Sequence, residues 1–546
     1  MRIIECVPNF SEGRNEATLE AIAGAVRSVE GVSLLNVDPG VATNRTVFTF
    51  VGEPECVCEA AFRAVKVAGE LIDMRHHSGA HPRIGATDVL PLVPVAGVSL
   101  AQCAQYARTL AQRIAEELEI PTYNYEAAAS CPERQNLADV RSGEYEGLEA
   151  KLQDPKWAPD FGKAEYTPRA AKCGATIVGA RDFLVAVNFN LNTTSTRRAN
   201  AIAFDVREKG RTVEGVQIPG TLKGCKAIGW FIDEYNVAQV SMNITDINTT
   251  PLHIAFDEVV RAAAARGIRV TGTEIVGLVP RRVLVEAGKN FLTKQGRSRG
   301  VGEAELIRTA IISMGLSEIA EFKPEERVIE YLIEDRDAKK LVDLTCRDFA
   351  LTTASESPAP GGGSVSAYLG ALGAALGVMV ANLSSHKRGW DDRWEFFSRY
   401  AEDGQEILAE LLALVDEDTA AFNKIMDCFS MPKSTDEEKA ARSAALQAAT
   451  LYATEVPLRT MQASLRVFDI VEAMAKEGNP NSVTDAGVGA LSARSAVLGA
   501  LLNVKINAAG LKNREAAEQI IAQGEAIAEE AVKREKEIIE IVTSKI

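Results

Sequence analysis

Three of the chain's five histidines, His76, His77 and His81, fall in one segment, MRHHSGAHPRIGATD. Imidazole is the usual general base near neutral pH. Gly79, Pro82 and Gly85 break the segment into a loop ahead of a strand, and loops on a rigid scaffold are where reactive groups sit. The segment also reads as a solvated His-rich loop or a fortuitous metal site. NVDPGVATNRTVFTF adds Asp38 at the end of one strand and Arg45 at the start of the next. Asp38 suits the orienting of a histidine or a substrate amine, and Arg45 can fork onto a carboxylate. Asp38 and Asn44 equally suit simple turn capping, as do Asn9 and Glu12 in VPNFSEGRN.

Three further strings carry possible chemistry. PDFGKAEYTPRAAKCGATIVGARDF is a loop of small residues that suits wrapping a planar heterocycle, and it also passes for a linker. PAPGGGSVSA opens a helix, and Gly361, Gly362, Gly363 and Ser364 lack the Lys-Ser/Thr of a Walker A loop. Glycines before a helix N-terminus can cradle an anion or make a flexible joint. In LVDEDTAAF, Asp416, Glu417 and Asp418 cannot share one solvated helical face, so one of Asp416 and Asp418 turns inward. A carboxyl held there has a raised pKa and suits acid/base work; an exposed acidic stretch is the competing reading.

The elements that must position these groups fall into two kinds. RIIECV, EATLEAIAGAVRSV, VSLLNVD, RTVFTFVG, PECVCEAAFRAVKVAGELID and DVLPLVPV read as β-α-β-β-α-β, the ferredoxin-like order, with a further helix over 100–118. The order recurs from FLVAVNFNL to RVTGTEIVGLVP, with Thr250 expected as N-cap of a helix that Pro251 opens. Two ferredoxin-like α+β units are therefore expected, 1–179 and 180–327, and a cleft between them is a natural small-molecule site. A charged linker is expected over 328–338. Beyond ASESPAPGGGS no strand alternation persists, and 339–546 reads as an all-helical bundle.

Composition sets outer limits. With 46% apolar and 25% charged residues the chain reads as a soluble protein of several packing units. No signal-like apolar core is expected at the N-terminus. YLGALGAALGVMVANL is shorter than the roughly 20 residues of a span, so no membrane span is expected. The nine cysteines are scattered, without CxxC or Cys/His zinc spacing, which points to a reducing cytoplasm and no metal. A net charge of −15 argues against nucleic acid as the main partner.

Taken together, the strings resemble the formiminotransferase-cyclodeaminase family from end to end. ECVPNFSEG, NRTVFTFVGEPE, ELIDMR, HPRIGA, GEYEGL, PEERVIEYL, APGGGSVSA, LVDEDTAAF and MPKSTDEEK occur in the family's order and spacing. The resemblance implies two folate-linked steps. The formimino group moves from N-formimino-L-glutamate to N5 of tetrahydrofolate, releasing glutamate. The 5-formimino product then closes to 5,10-methenyltetrahydrofolate, releasing ammonia. That chemistry ends histidine breakdown and feeds one-carbon metabolism, as transferase and lyase in one multifunctional chain.

By the same resemblance the transferase histidine falls on His81 and the cyclodeaminase aspartate on Asp418. The family's folate-binding segment falls on about 163–175, including Lys163, Ala164, Glu165, Gly174 and Ala175. Asp38 is the candidate to orient His81, Arg45 and Arg83 to hold substrate carboxylates. Gly361–Ser364 are taken as folate contacts. Asp485 and Asn503 match family positions and suit either the second site or core and capping roles. Tetrahydrofolate is the implied co-substrate, and a homo-oligomer the implied assembly. The loop GKAEYTPRAAKCGAT runs longer than the animal pattern, and SSHKRGWDDRWEFF moves an aromatic to Trp390. A helical half that is cyclohydrolase-like, or a folate-binding scaffold, is the alternative.

Overall fold

The computed structural model describes residues 2–40, 44–79, 82–232, 235–333, 340–357 and 359–546. His81 lies outside the described residues. The chain packs as two compact units: 1–283 with 315–334, and 284–314 with 335–546.

In the first unit, β1 (Ile3–Cys6) and β2 (Asn9–Phe10) precede α1 (Glu16–Arg27). β3 (Val32–Gly40), β4 (Arg45–Gly52), α2 (Pro54–Leu71) and β5 (Thr87–Ala96) complete the expected element order. Pro54 occupies the first helical turn, where its missing N–H costs nothing. There follow α3 (Leu100–Leu118), β6 (Thr122–Glu126), the short α4 (Leu137–Arg141), α5 (Leu148–Gln153) and α6 (Pro168–Cys173), and β7 (Thr176–Ala180). β1 and β2 both lie between β4 and β5, β3 sits outside β4, and these pairings are antiparallel. β7 and β6 extend the sheet beyond β5 in parallel.

Side chains alternate across this sheet. Ile4, Cys6, Phe48, Phe50, Leu90 and Val178 form one core with α1, α2 and α3. Val89, Ile177, Tyr123 and Tyr125 face the other way and pack with Val140, Leu148, Leu152 and Ala170. The excursion over 132–175 thus covers the second face, and its packing fixes what it carries.

A second sheet is built from β8 (Val185–Leu191), α7 (Thr196–Val206), the hairpin β9 (Arg211–Val213) and β10 (Val216–Ile218), β11 (Cys225–Ile232), β12 (Val237–Ile244), α8 (Leu252–Ala264) and β13 (Val270–Val276). Its order is β11-β12-β8-β13, all antiparallel. One expectation fails here. Pro251, not Thr250, occupies the N-cap of α8, because the Thr250 hydroxyl donates to Lys223 O at 2.7 Å instead.

The helices α9 (Arg281–Lys294) and α10 (Glu303–Met314), expected within the second α+β segment, pack mainly with the helical unit, whereas α11 (Pro324–Arg327) and α12 (Ile329–Ile333) return to the first. α12 also occupies part of the expected linker.

The helical unit holds α13 (Cys346–Thr353), α14 (Gly362–Ser385), α15 (Trp394–Ser430), α16 (Asp436–Glu477), α17 (Val483–Ala508) and α18 (Arg514–Thr543). Its core draws Ala371, Ala374, Leu411, Met461, Phe468, Ala490 and Val497 from four of them. α14 is longer than its sequence suggests. Both it and the segment Pro480–Ala508 pass the length and apolarity test for a membrane helix, with 61% and 44% of the tested windows buried. A Cβ on Gly373 would press on Gly489 O, so small residues let these two backbones approach.

α16 runs unbroken through Pro457. Proline supplies no N–H to the carbonyl four residues back. That carbonyl, Ala453 O, instead accepts from Asn507 Nδ2 at 2.7 Å.

Candidate functional sites

Around the HPRIG string the structure ties four loops together. Asn44 is the hub: its Oδ1 accepts from Gly13 N at 3.0 Å, and its Nδ2 donates to Ser78 O at 2.9 Å. Its carbonyl accepts from His77 Nε2 at 2.9 Å, and Arg83 Nε donates to His77 Nδ1 at 3.2 Å. Both ring nitrogens of His77 are thus engaged by the protein, and burial holds its pKa below the usual value. A neutral imidazole with both nitrogens bonded is poorly placed to take a substrate proton. Exposed His76 sits in a single helical turn after Asp73. Asn9, on β2, bonds Val7 O through Nδ2, and Glu12 Oε1 accepts from Arg14 N and Asn15 N in a turn.

The proposed carboxylate receptors differ. Arg83 is 7% exposed and already engaged by Glu146 at 2.6 Å and Glu144 at 3.3 Å. A substrate carboxylate would have to displace its own protein partners. Arg45 is half-buried; burial lowers its pKa, opposed by Asp88 and, less, by Asp38. Asp38 is exposed on β3, opposite Val47 of β4.

Asp88 had no role in the sequence reading. It has no exposed surface, accepts Ile84 N–H at 3.0 Å, and is forked by Arg141 of α4 at 2.6 and 3.2 Å. An aspartate opening an otherwise apolar strand was its only sequence signal. Lys151 holds the same turn from α5, donating to Val140 O at 2.6 Å and Ser142 O at 2.8 Å; burial brings its pKa down to about 8.

The proposed folate segment divides. Lys163 and Glu165 line a hollow of about 520 Å³ beside the C-terminal end of α3, with Ala164 exposed between them. Gly174 and Ala175 instead abut the HPRIG string, where Ala175 N donates to Ile84 O at 3.2 Å. Gly174 has φ +70, and a Cβ there would overlap Ile84 O, so glycine is required at this crossing. A second depression, about 510 Å³, is lined by His77, Ser78, Gly79, Arg83, Gly143, Glu144 and Glu146, directly flanking the 80–81 pair in sequence. The cleft between the two sheets' segments is lined by Arg141, Arg181, Lys226, Glu126, Asp182 and Asp246 and measures about 670 Å³.

In the helical unit, the three acidic residues of LVDEDTAAF part company. Asp416 accepts Leu341 N–H at 2.6 Å. Glu417 accepts from Tyr452 OH at 2.6 Å and pairs with Arg459. Asp418 turns toward the start of α14 and accepts from Ser364 Oγ at 3.0 Å. Burial pushes its carboxyl above the usual carboxylate range, opposed by the hydrogen bond from the Ser364 hydroxyl. Gly361 is the N-cap of α14, and Gly362 lies beside the Asn503 amide. Among the described residues no group of three or more His, Cys, Asp or Glu is arranged to hold a metal.

Comparison with known proteins assigns both halves. The formiminotransferase domain, N-terminal subdomain, matches residues 3–181, and the formiminotransferase domain matches 186–334. A formiminotransferase-cyclodeaminase model matches 345–526. Formimidoyltransferase-cyclodeaminase of Mus musculus is 42% identical over 507 residues, 93% of this chain and 92% of that protein. The chain belongs to the formiminotransferase-cyclodeaminase family.

Two relatives match one half each. Glutamate formimidoyltransferase of Streptococcus pyogenes is 42% identical over 53% of this chain and 93% of its own length. Methenyltetrahydrofolate cyclohydrolase of Methylorubrum extorquens is 39% identical over 37% of this chain and 97% of its own length.

Within this family frame, two sequence assignments separate from Asp418. Asn503 lies near Gly362, but Asp485 opens the same helix, α17, 18 residues earlier; that is about 27 Å along a helix. Asp485 is not brought to Asp418 within one chain. Trp390, in the departing 384–397 stretch, stacks on Phe397 at 5.5 Å and lies under Lys387 Nζ at 4.0 Å. That stretch follows the C-terminal end of α14, about 36 Å of helix from Gly362.

Proposed function

We propose that this chain transfers the formimino group of N-formimino-L-glutamate to N5 of tetrahydrofolate, then closes the product to 5,10-methenyltetrahydrofolate. In the first step N5 loses a proton as it attacks the amidine carbon, and the glutamate amine gains one as it leaves. His81 serves both transfers as base and then acid, oriented by Asp38, with Arg45 toward the substrate carboxylates. In the second step N10 attacks the same carbon of the protonated amidine, whose NH2 leaves as ammonia once it gains the N10 proton. Asp418 takes the N10 proton and returns it to the leaving nitrogen.

The observation that carries this reading is identity to bifunctional relatives along both halves, 42% over 93% of the chain. The inward carboxyl of Asp418 supports the second role. Tetrahydrofolate enters as co-substrate, with 163–175 and the start of α14 as the proposed contact regions, and no resident metal. The α+β segments are read as ferredoxin-like, supported by strand orders in which the first strand lies between the third and fourth. A cytoplasmic homo-oligomer without a membrane span completes the proposal.

One assay tests it. Formiminoglutamate and tetrahydrofolate are mixed while methenyl absorbance and ammonia are followed. His81→Ala should abolish transfer yet close supplied 5-formiminotetrahydrofolate; Asp418→Ala should do the reverse. Loss of both activities in either folded variant would sink the two-site reading.

The cyclohydrolase relative of the helical half favours a second reading. Ring closure passes through a carbon bonded to N5, N10 and an amino group. Hydrolysis of the methenyl bridge passes through the same carbon bearing hydroxyl. Glutamate release without ammonia, together with decay of supplied methenyltetrahydrofolate, would select that reading.

A further inference from the structure

The start of α14 and the acidic segment of α15 meet in an uncommon way. The first turn of a helix leaves backbone N–H groups without partners, and a side chain at the N-cap ordinarily serves them. Here the N-cap is Gly361, which has no side chain to offer. A carboxyl from another helix lies against that first turn. Asp418, 54 residues away, accepts from the Ser364 hydroxyl at 3.0 Å. Ser364 has no exposed surface, and its hydroxyl has Thr419 Oγ1 at 3.3 Å as a further neighbour. Gly363 makes the approach possible, since a Cβ there would overlap the Asp418 carboxyl.

We infer that Ser364 is a positioning residue for ring closure, holding and tuning Asp418, and that the GGGS turn cradles this carboxyl of the protein itself. The inference rests on Asp418 being the acid/base of that step.

Among the groups around it, Ser364 is the one that opposes burial at Asp418. From α15 itself, Asp416 is held by Leu341 N–H and Glu417 by Tyr452 and Arg459 of α16. From α17, Asn503 is uncharged and donates to Gly499 O at 3.0 Å. From α14, Ser364 carries no charge. Burial raises the Asp418 carboxyl and the hydrogen bond from the Ser364 hydroxyl lowers it. Removing the hydroxyl deletes one lowering influence, so Asp418 must titrate at higher pH. Whether the step needs the carboxylate first or the acid first, the limb of the pH–rate profile that belongs to Asp418 moves the same way.

The test uses the full chain and supplied 5-formiminotetrahydrofolate. For Ser364→Ala, kcat should fall by about tenfold or more, and the Asp418 limb should move to higher pH. Ser364→Thr keeps a hydroxyl and should return the limb to its wild-type position, whatever its rate. An unmoved limb in the alanine variant, or an equal shift in the threonine variant, overturns the inference. Should the alanine variant fail to fold, Ser364→Cys replaces it. Its weak S–H donor must still move the limb relative to Ser364→Thr, and coincident limbs overturn the inference. Failure of the underlying reading looks different: wild type would not close the ring, or Asp418→Asn would close it normally.

Discussion

Asp88 and Arg141, 53 residues apart in sequence, form a buried fork that pins Ile84: the guanidinium grips the carboxyl at 2.6 and 3.2 Å while the same carboxyl accepts Ile84 N–H at 3.0 Å. The fork thereby fixes the backbone at Ile84, three residues past the proposed base in sequence. The excursion carrying Arg141 is itself locked by Lys151 and by the Arg134–Asp160 pair at 2.5 Å. A scaffold residue of the sheet and a helix packed over its second face thus jointly define one loop.

Arg141→Met would leave the Asp88 carboxyl buried without its charge partner. Breaking one side of a buried pair costs about 3–5 kcal/mol. Thermal or denaturant unfolding of the α+β unit should register that loss, and adding Asp88→Asn should recover part of it. Transfer should fall in the single variant while closure of supplied 5-formiminotetrahydrofolate persists. Equal loss of the two activities would contradict the assignment of the fork to the transferase loop.

Much of the fold was legible because it is written locally. The apolar spacing of Leu19, Ile22, Ala23 and Val26 marks α1, and Pro54 marks the start of α2. The inward turn of one aspartate in LVDEDTAAF follows from helical geometry alone, though which one does not. What stayed illegible depends on partners far along the chain. Pro457 sits inside a helix because Asn507, far along the chain, supplies the donor that proline lacks. Asp88 reads as a strand-edge polar residue until Arg141 is placed beside it. GGGS reads equally as a joint or an anion cradle, and the anion that decides between them lies on α15. Asp485 matched by sequence position, but the length of one helix carries it away from Asp418.

The Asn507–Pro457 relationship predicts a coupled pair of stability effects. Asn507→Ala strands the Ala453 carbonyl in the bundle, and an unsatisfied buried polar group costs about 1–3 kcal/mol. In a Pro457→Ala background the helix regains its own N–H donor, so Asn507→Ala should cost clearly less. Denaturant melts of the four proteins give the coupling directly. Additive effects would mean that Asn507 is not the substitute donor.

Glu5 predicts a pH effect in the other unit. It lies on β1 between Val51 and Val93, 5% exposed, and burial pushes its carboxyl up to about 7, with Arg181 opposing and Glu330 assisting. The unfolded chain titrates near 4.5, so the folded value is raised. The protonated acid is therefore the form the fold favours. Its contribution is fully present below the unfolded value and is lost as pH climbs through about 7. Glu5→Gln should leave stability unchanged in mild acid and raise it above neutrality, by up to about 3 kcal/mol. Unfolding curves on both sides of neutrality check this, and a gain of equal size at both would reject it.

Gly363→Ala gives the sharpest separation of the two activities. Alanine favours a helix over glycine by about 1 kcal/mol, so backbone preference alone would make the variant more stable. The added methyl, however, enters the space of the Asp418 carboxyl. Overpacking of this kind costs about 1–3 kcal/mol and forces the carboxyl off Ser364. Ring closure should fall by about a hundredfold, as misplacement of a catalytic group by an ångström can do, while formimino transfer continues. The stability cost should vanish when Asp418→Ala removes the colliding group, leaving only the helical gain of alanine. A cost that persists in that background would show that the methyl strikes something other than Asp418.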